Sequence, residues 1–101
     1  MSCSRYIACV GSRETPRDLL AWMEATGAEL VRRGFTVVSG NAVGADQAWA
    51  RGASSVDPGK VLLCLPWPSY NREAITAGNL VVSLDNLDRE VFVRYSNLAA
   101  K

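Results

Sequence analysis

The stretch Phe35 to Ala53, FTVVSGNAVGADQAWARGA, decides how this chain folds. An apolar run, Phe35 to Ser39, reads as a strand, a short glycine-edged turn follows, and Ala45 to about Ala53 reads as a helix. Gly40 and Gly44 bracket the turn, where a missing Cβ lets backbone come close to a ligand. The helix start adds N–H groups and a positive dipole end, which favour phosphate or carboxylate. The spacing is G-x-x-x-G with no lysine behind it, so it is not a P-loop.

Working outward, the same strand–turn–helix order recurs upstream. Arg5 to Val10 reads as a buried strand, and Gly11-Ser12-Arg13 as its turn. Thr15-Pro16-Arg17-Asp18 has the form of a helix start, with Thr15 as N-cap and Pro16 at the first helical position. Leu19, Met23, Gly27 and Leu30 follow at helical spacing, Gly27 marking close approach to the sheet, and Gly34 stands just past the end. Downstream, Ser54 to Gly59 reads as a polar loop. Lys60 to Leu65 is a nearly all-apolar third strand of the kind covered on both faces in a parallel sheet. Pro66 to Tyr70 is a stiff aromatic loop leading to a short helix near Asn71 to Thr76, and Leu80 to Leu84 is a fourth strand. The tail from Asp85 to Lys101 suits a helix through Leu87, Val91 and Leu98, with Val91-Phe92-Val93 as the competing strand. This alternation predicts one α/β domain over residues 1–101, a three-layer Rossmann-like arrangement with a mainly parallel sheet of about four strands.

Composition narrows the chemistry. The 101 residues suffice for one modest core. Eleven Lys and Arg against ten Asp and Glu give a net charge of +1, which disfavours strong non-specific nucleic-acid binding unless Arg13, Arg32, Arg33, Arg51 and Arg72 gather on one side. Histidine is absent, which excludes imidazole base catalysis, Ser-His triads and His-ligated metals. Cys3, Cys9 and Cys64 match no metal or redox spacing, so no metal or cofactor is expected. Cys9 and Cys64 read as small buried hydrophobes in a reduced, cytoplasmic setting. No apolar run is long enough to cross a membrane.

Three loops carry the candidate site. In loop one Gly11 permits the turn, Ser12 can hydrogen-bond and Arg13 can pair with a phosphate, or with a carboxylate of its own fold. In loop two Ser39, Gly40, Asn41, Gly44, Ala45 and Asp46 line the turn; Asn41 suits a sugar or base edge. Asp46 suits the helix dipole, a ribose hydroxyl or the orientation of Arg13. In loop three Trp67 can form a stacking wall for a base or lid the core, and Glu73 is the leading acid–base candidate beside the alternative of a solvated helix residue. Trp22 and Trp49 read as packing residues. Three tryptophans in so small a domain also favour a homo-oligomer.

With Gly11-Ser12-Arg13, Ser39 to Asp46 and Leu62 to Pro66 in place, residues 5 to 84 resemble the SLOG superfamily. That Rossmann-like group includes the DNA-processing A (Smf) mediators, the Lonely-guy phosphoribohydrolases and small bacterial and phage proteins. The resemblance implies a pocket made by Gly11, Ser12, Arg13, Ser39, Gly40, Gly44, Ala45 and Asp46, and a nucleotide, nucleotide-derived signal or nucleic acid as ligand. The Lonely-guy enzymes carry a glycine-rich loop where this chain has Pro66 to Glu73 with no glycine, which argues against N-glycosidic hydrolysis. A nucleotide-binding module is therefore the first reading. A nucleotide phosphoribohydrolase and a small nucleic-acid or protein-interaction module are the alternatives.

Overall fold

A computed structural model describes residues 5–84; Cys3 and the tail 85–101, with its expected helix, lie outside the described residues. Four strands form one all-parallel sheet: β1 (Arg5–Ala8), β2 (Phe35–Ser39), β3 (Val61–Leu65) and β4 (Leu80–Ser83), in the order β1-β2-β3-β4. Helix α1 (Arg17–Arg32) joins β1 to β2, and α2 (Ala45–Val56) joins β2 to β3. Short helical turns at Pro58–Lys60 and Arg72–Ala74 flank β3.

Strand alternation sorts side chains to two faces. Val37 of β2 and Val61, Leu63 and Leu65 of β3 are fully buried. They cluster with Cys9, with Val31 of α1 and with Ala50 and Ala53 of α2. Both long helices therefore cover the same face. That follows from a sheet grown in one direction, because crossovers between parallel strands are right-handed. The expected Rossmann-like α/β fold with a parallel sheet is present, and residues 5–84 supply the sheet and one helical layer. On the opposite face the register aligns Ala8, Val38, Leu62 and Leu80 in one row, with Cys64 beside Val82. Leu80 and Val82, with Tyr6 of β1, remain about half exposed there.

Several local expectations change. Thr15 does not cap α1: its hydroxyl donates to the Ser12 carbonyl at 2.6 Å, and Pro16 occupies the cap position with no side-chain bond. The nearby loop carbonyl wins the hydroxyl. Gly34 behaves as expected, with φ +93° and its N–H on the Val31 carbonyl. Helix α2 runs on through Ser54 and Ser55 to Val56 instead of ending near Ala53. Ser54 is buried and accepts from Asn79 Nδ2, while the Ser55 hydroxyl donates back to the Gly52 carbonyl, so both polar side chains are satisfied inside the helix. Trp22 is not a core residue. It is 59% exposed and meets Trp49 edge-on, with ring centroids 5.8 Å apart.

Gly27 allows a close approach to α2, not to the sheet. A Cβ there would collide with the Trp49 carbonyl, and one at Gly52 would collide with the Glu24 carbonyl. The two helices thus meet backbone to backbone through reciprocal glycines. Glycine to alanine inside a helix ordinarily adds about 0.8–1 kcal/mol of stability. Gly52→Ala is expected to have the opposite sign and to cost about 1–3 kcal/mol, the usual penalty of overpacking. Urea unfolding of the purified variant measures it.

Candidate functional site

The site is built at the carboxyl ends of β1, β2 and β3, where open parallel sheets hold ligands. Loops one and two are welded together there. The Ala45 N–H donates to the Ser12 carbonyl at 3.1 Å. A Cβ on Gly11 would lie 2.5 Å from Ala45 Cβ, and one on Gly44, at φ +93°, would lie 2.6 Å from the Arg13 carbonyl oxygen. The glycines expected to admit a ligand therefore admit the neighbouring loop. The first N–H of α2, expected to face an anion, is given to Ser12. The Ser12 hydroxyl is also used internally, accepting from the Glu14 N–H at 3.0 Å.

Beside this junction lies a cleft of about 510 Å³. Of the candidate site residues, Arg13, Ser39, Gly40, Asp46 and Trp67 line it. Gly11, Ser12, Asn41, Gly44 and Ala45 are not among its lining residues; they form the scaffold beneath. Ala8, Val10, Val38, Cys64, Pro66, Tyr70 and Leu84 complete the wall. The strand members of that set, Ala8, Val38 and Cys64, share the sheet face turned away from the helices. Period-two alternation carried that signal, but attention to loop residues alone passes over it. Trp67 is 52% exposed and stands edge-on to Tyr70, centroids 4.9 Å apart. Trp67 is thus a wall of the cleft and not a buried lid.

The polar side of the cleft is internally braced. The Ser39 hydroxyl donates to the Asp46 carbonyl at 2.9 Å and accepts from the Asn41 N–H at 3.2 Å. Asp46 Oδ2 accepts from the Ala42 N–H at 3.4 Å. Burial raises the Asp46 pKa above its ordinary 3.8, outweighing the Ala42 N–H and the attraction of Arg13. Burial, followed by repulsion from Asp46, also pushes the Cys9 thiol up, and burial alone does so for Cys64. Both cysteines are free, and their raised pKa values disfavour the reactive thiolate.

Glu73 sits exposed on the turn Arg72–Ala74 and does not line the cleft. Of the arginines named above, Arg32 and Arg33 pair with Glu29, and Arg51 pairs with Glu24 across the two helices. Arg13 alone of these lines the cleft. Among the described residues no group of three or more His, Cys, Asp and Glu side chains is placed to hold a metal. No helix among them is long and apolar enough to cross a membrane.

The welded loops, β1-α1-β2-α2-β3, are also the part of the chain that a known family describes. Residues 1–65 match the family model of DNA recombination-mediator protein A. The chain belongs to the DNA recombination-mediator protein A family. The match ends at Leu65, the last residue of β3, so it takes in loops one and two and stops before the aromatic loop. Comparison with curated proteins and with solved structures gives no match. The expected resemblance is thus met over the two glycine-edged loops, while Trp67 and Tyr70 are features of this chain beyond the matched segment.

Asp46 makes a pH prediction. A raised carboxyl pKa in the folded state means the folded protein binds more protons than the unfolded chain between the two pKa values. Its contribution to stability is then complete below about pH 3.8 and lost as pH rises through the folded value. Asp46→Asn is expected to remove that pH-dependent loss, so the stability difference between variant and wild type should move in the variant's favour as pH rises. Urea unfolding of both proteins across the acid range reads this directly.

Proposed function

We propose that the cleft binds a nucleotide-type ligand, with its phosphate at Arg13 and Gly40 and its base on the Trp67–Tyr70 wall. The carrying observation is the placement in one cleft of a guanidinium, a glycine backbone and an exposed tryptophan, across a largely apolar floor. A guanidinium pairs with phosphate oxygens in bidentate fashion. An exposed indole beside a rigid proline loop offers the π-face on which a base stacks. Asp46, in the first turn of α2, lines the same cleft, which supports a role as acceptor for a ribose hydroxyl.

Family membership supports a second reading, in which the occupant is a nucleotide unit of single-stranded DNA. The chemistry recognised is the same, phosphate plus base, and the difference lies in affinity for a chain over a monomer. A net charge of +1, with Arg32, Arg33 and Arg51 already engaged by carboxylates, favours the monomer. Base release by hydrolysis is not expected, since Glu73 lies outside the cleft and no imidazole exists to serve as base.

The deciding experiment is calorimetry with adenosine diphosphate and with a short oligothymidylate, at stated low and moderate salt. Arg13→Ala is expected to weaken nucleotide binding by about 1.5–3 kcal/mol, the range for a hydrogen bond to a charged group. Unchanged affinity in a folded variant removes Arg13 from the site. Tighter binding of the oligonucleotide than of the monomer, with a steep salt dependence, would favour the second reading.

A further inference from the structure

The loop Pro66 to Asn79 carries the aromatic wall, and nothing in its own sequence fixes its distance from loop two. Pro66 and Pro68 set two backbone angles, yet the wall must still be held against the sheet. Side-chain hydrogen bonds tie the loop to the rest of the described structure at two places. At its far end Asn79 Nδ2 donates to Ser54 Oγ at 3.0 Å and to the Pro58 carbonyl at 2.9 Å. At its near end Asn41 Nδ2 donates to the Asn71 carbonyl at 3.0 Å and to the Tyr70 carbonyl at 3.3 Å. The bond is returned: Asn71 Nδ2 donates to the Asn41 carbonyl at 3.0 Å, where Gln47 Nε2 also donates at 3.2 Å.

The geometry of these two asparagines is costly. Both hold positive φ, +62° for Asn41 and +45° for Asn71, a region that side chains other than Asn and Asp rarely enter. Asn41 is only 1% exposed, and its Oδ1 is buried with no hydrogen-bond partner among the described residues. An unsatisfied buried acceptor costs free energy, and an apolar side chain would avoid that cost. The amide's two donated bonds are the return. They fall on Tyr70 and Asn71, where the aromatic loop turns.

We infer that Asn41 and Asn71 form a clasp that sets the spacing between the phosphate side of the cleft and its base-stacking wall. Asn41 is a positioning residue: its amide is spent beneath the cleft, and it acts through Tyr70 and, by the edge contact, through Trp67. Because the Asn41 backbone also belongs to the loop braced by Ser39, a shift of loop two is passed to the wall. This inference rests on the nucleotide reading of the cleft for its binding consequence, but the clasp itself is measurable without any ligand.

The test uses the full chain with Asn41→Gly and, separately, Asn71→Gly, since glycine keeps the positive φ while removing the amide. The second variant stands in if the first fails to fold. Trp67 is followed by fluorescence in a background carrying Trp22→Phe and Trp49→Phe. Loss of the clasp is expected to shift the Trp67 emission and increase its quenching by iodide. Adenosine diphosphate and inorganic pyrophosphate are then titrated by calorimetry. Affinity for the nucleotide should fall at least about five-fold, the lower end of one lost base stack, while affinity for pyrophosphate stays within about two-fold. An unaltered Trp67 signal in both folded variants overturns the clasp. Equal losses for the two ligands overturn the positioning role, because general damage to the site would produce them. If the wild type binds neither ligand, the nucleotide reading fails, and the Trp67 signal still decides the clasp.

Discussion

The bond from the Ala45 N–H to the Ser12 carbonyl is the constraint on which the upper half of this molecule is built. It joins the turn after β1 to the start of α2, and it forms only because Gly11 and Gly44 present no Cβ at the contact. A side chain at either position would push the turns apart. The positive end of the α2 dipole is thereby aimed at a carbonyl of the protein itself. The cleft opens beside this junction, with Arg13, Gly40 and Asp46 in its lining.

Lower down, glycines make a second contact of the same kind. Gly27 and Gly52 let α1 and α2 approach until each faces the other's main chain. The pair then acts as one slab over the side chains of β2 and β3, which explains how so short a chain buries Val37, Val61, Leu63 and Leu65 completely. The three ion pairs on the outside of this slab are about half exposed, and such pairs contribute roughly 0–1 kcal/mol each. Packing, not charge, holds the helices.

The cleft combines a braced side and a hung side. Ser39, Asp46 and the main chain at Ala42 form a closed set of hydrogen bonds at the end of β2. The aromatic wall hangs from the β3–β4 loop, with Tyr70 packed against the core and Trp67 half in solvent. The family match covers the braced side and ends before the wall. On the nucleotide reading proposed above, affinity for phosphate and selection of a base would reside on different parts of the chain.

The sequence alone determined the strands, the parallel sheet and the placement of loops one and two at strand ends, because these follow from apolar runs and glycine–proline punctuation read locally. It also marked Arg13, Gly40, Asp46 and Trp67, whose residue types suit a cleft wherever the loops converge. It could not decide which glycines face a ligand and which face another segment, since a missing Cβ looks the same in either use. Gly11 and Gly44 proved to serve loop packing, and Gly27 served the second helix. Nor could it show that Thr15 turns to Ser12, that Trp22 stays outside, or that Asn41 reaches Tyr70 and Asn71 across thirty positions of chain. Those outcomes depend on contacts between segments distant in sequence. Only the tertiary structure fixes them, because each is a competition for the same donor, acceptor or volume that local pattern does not register.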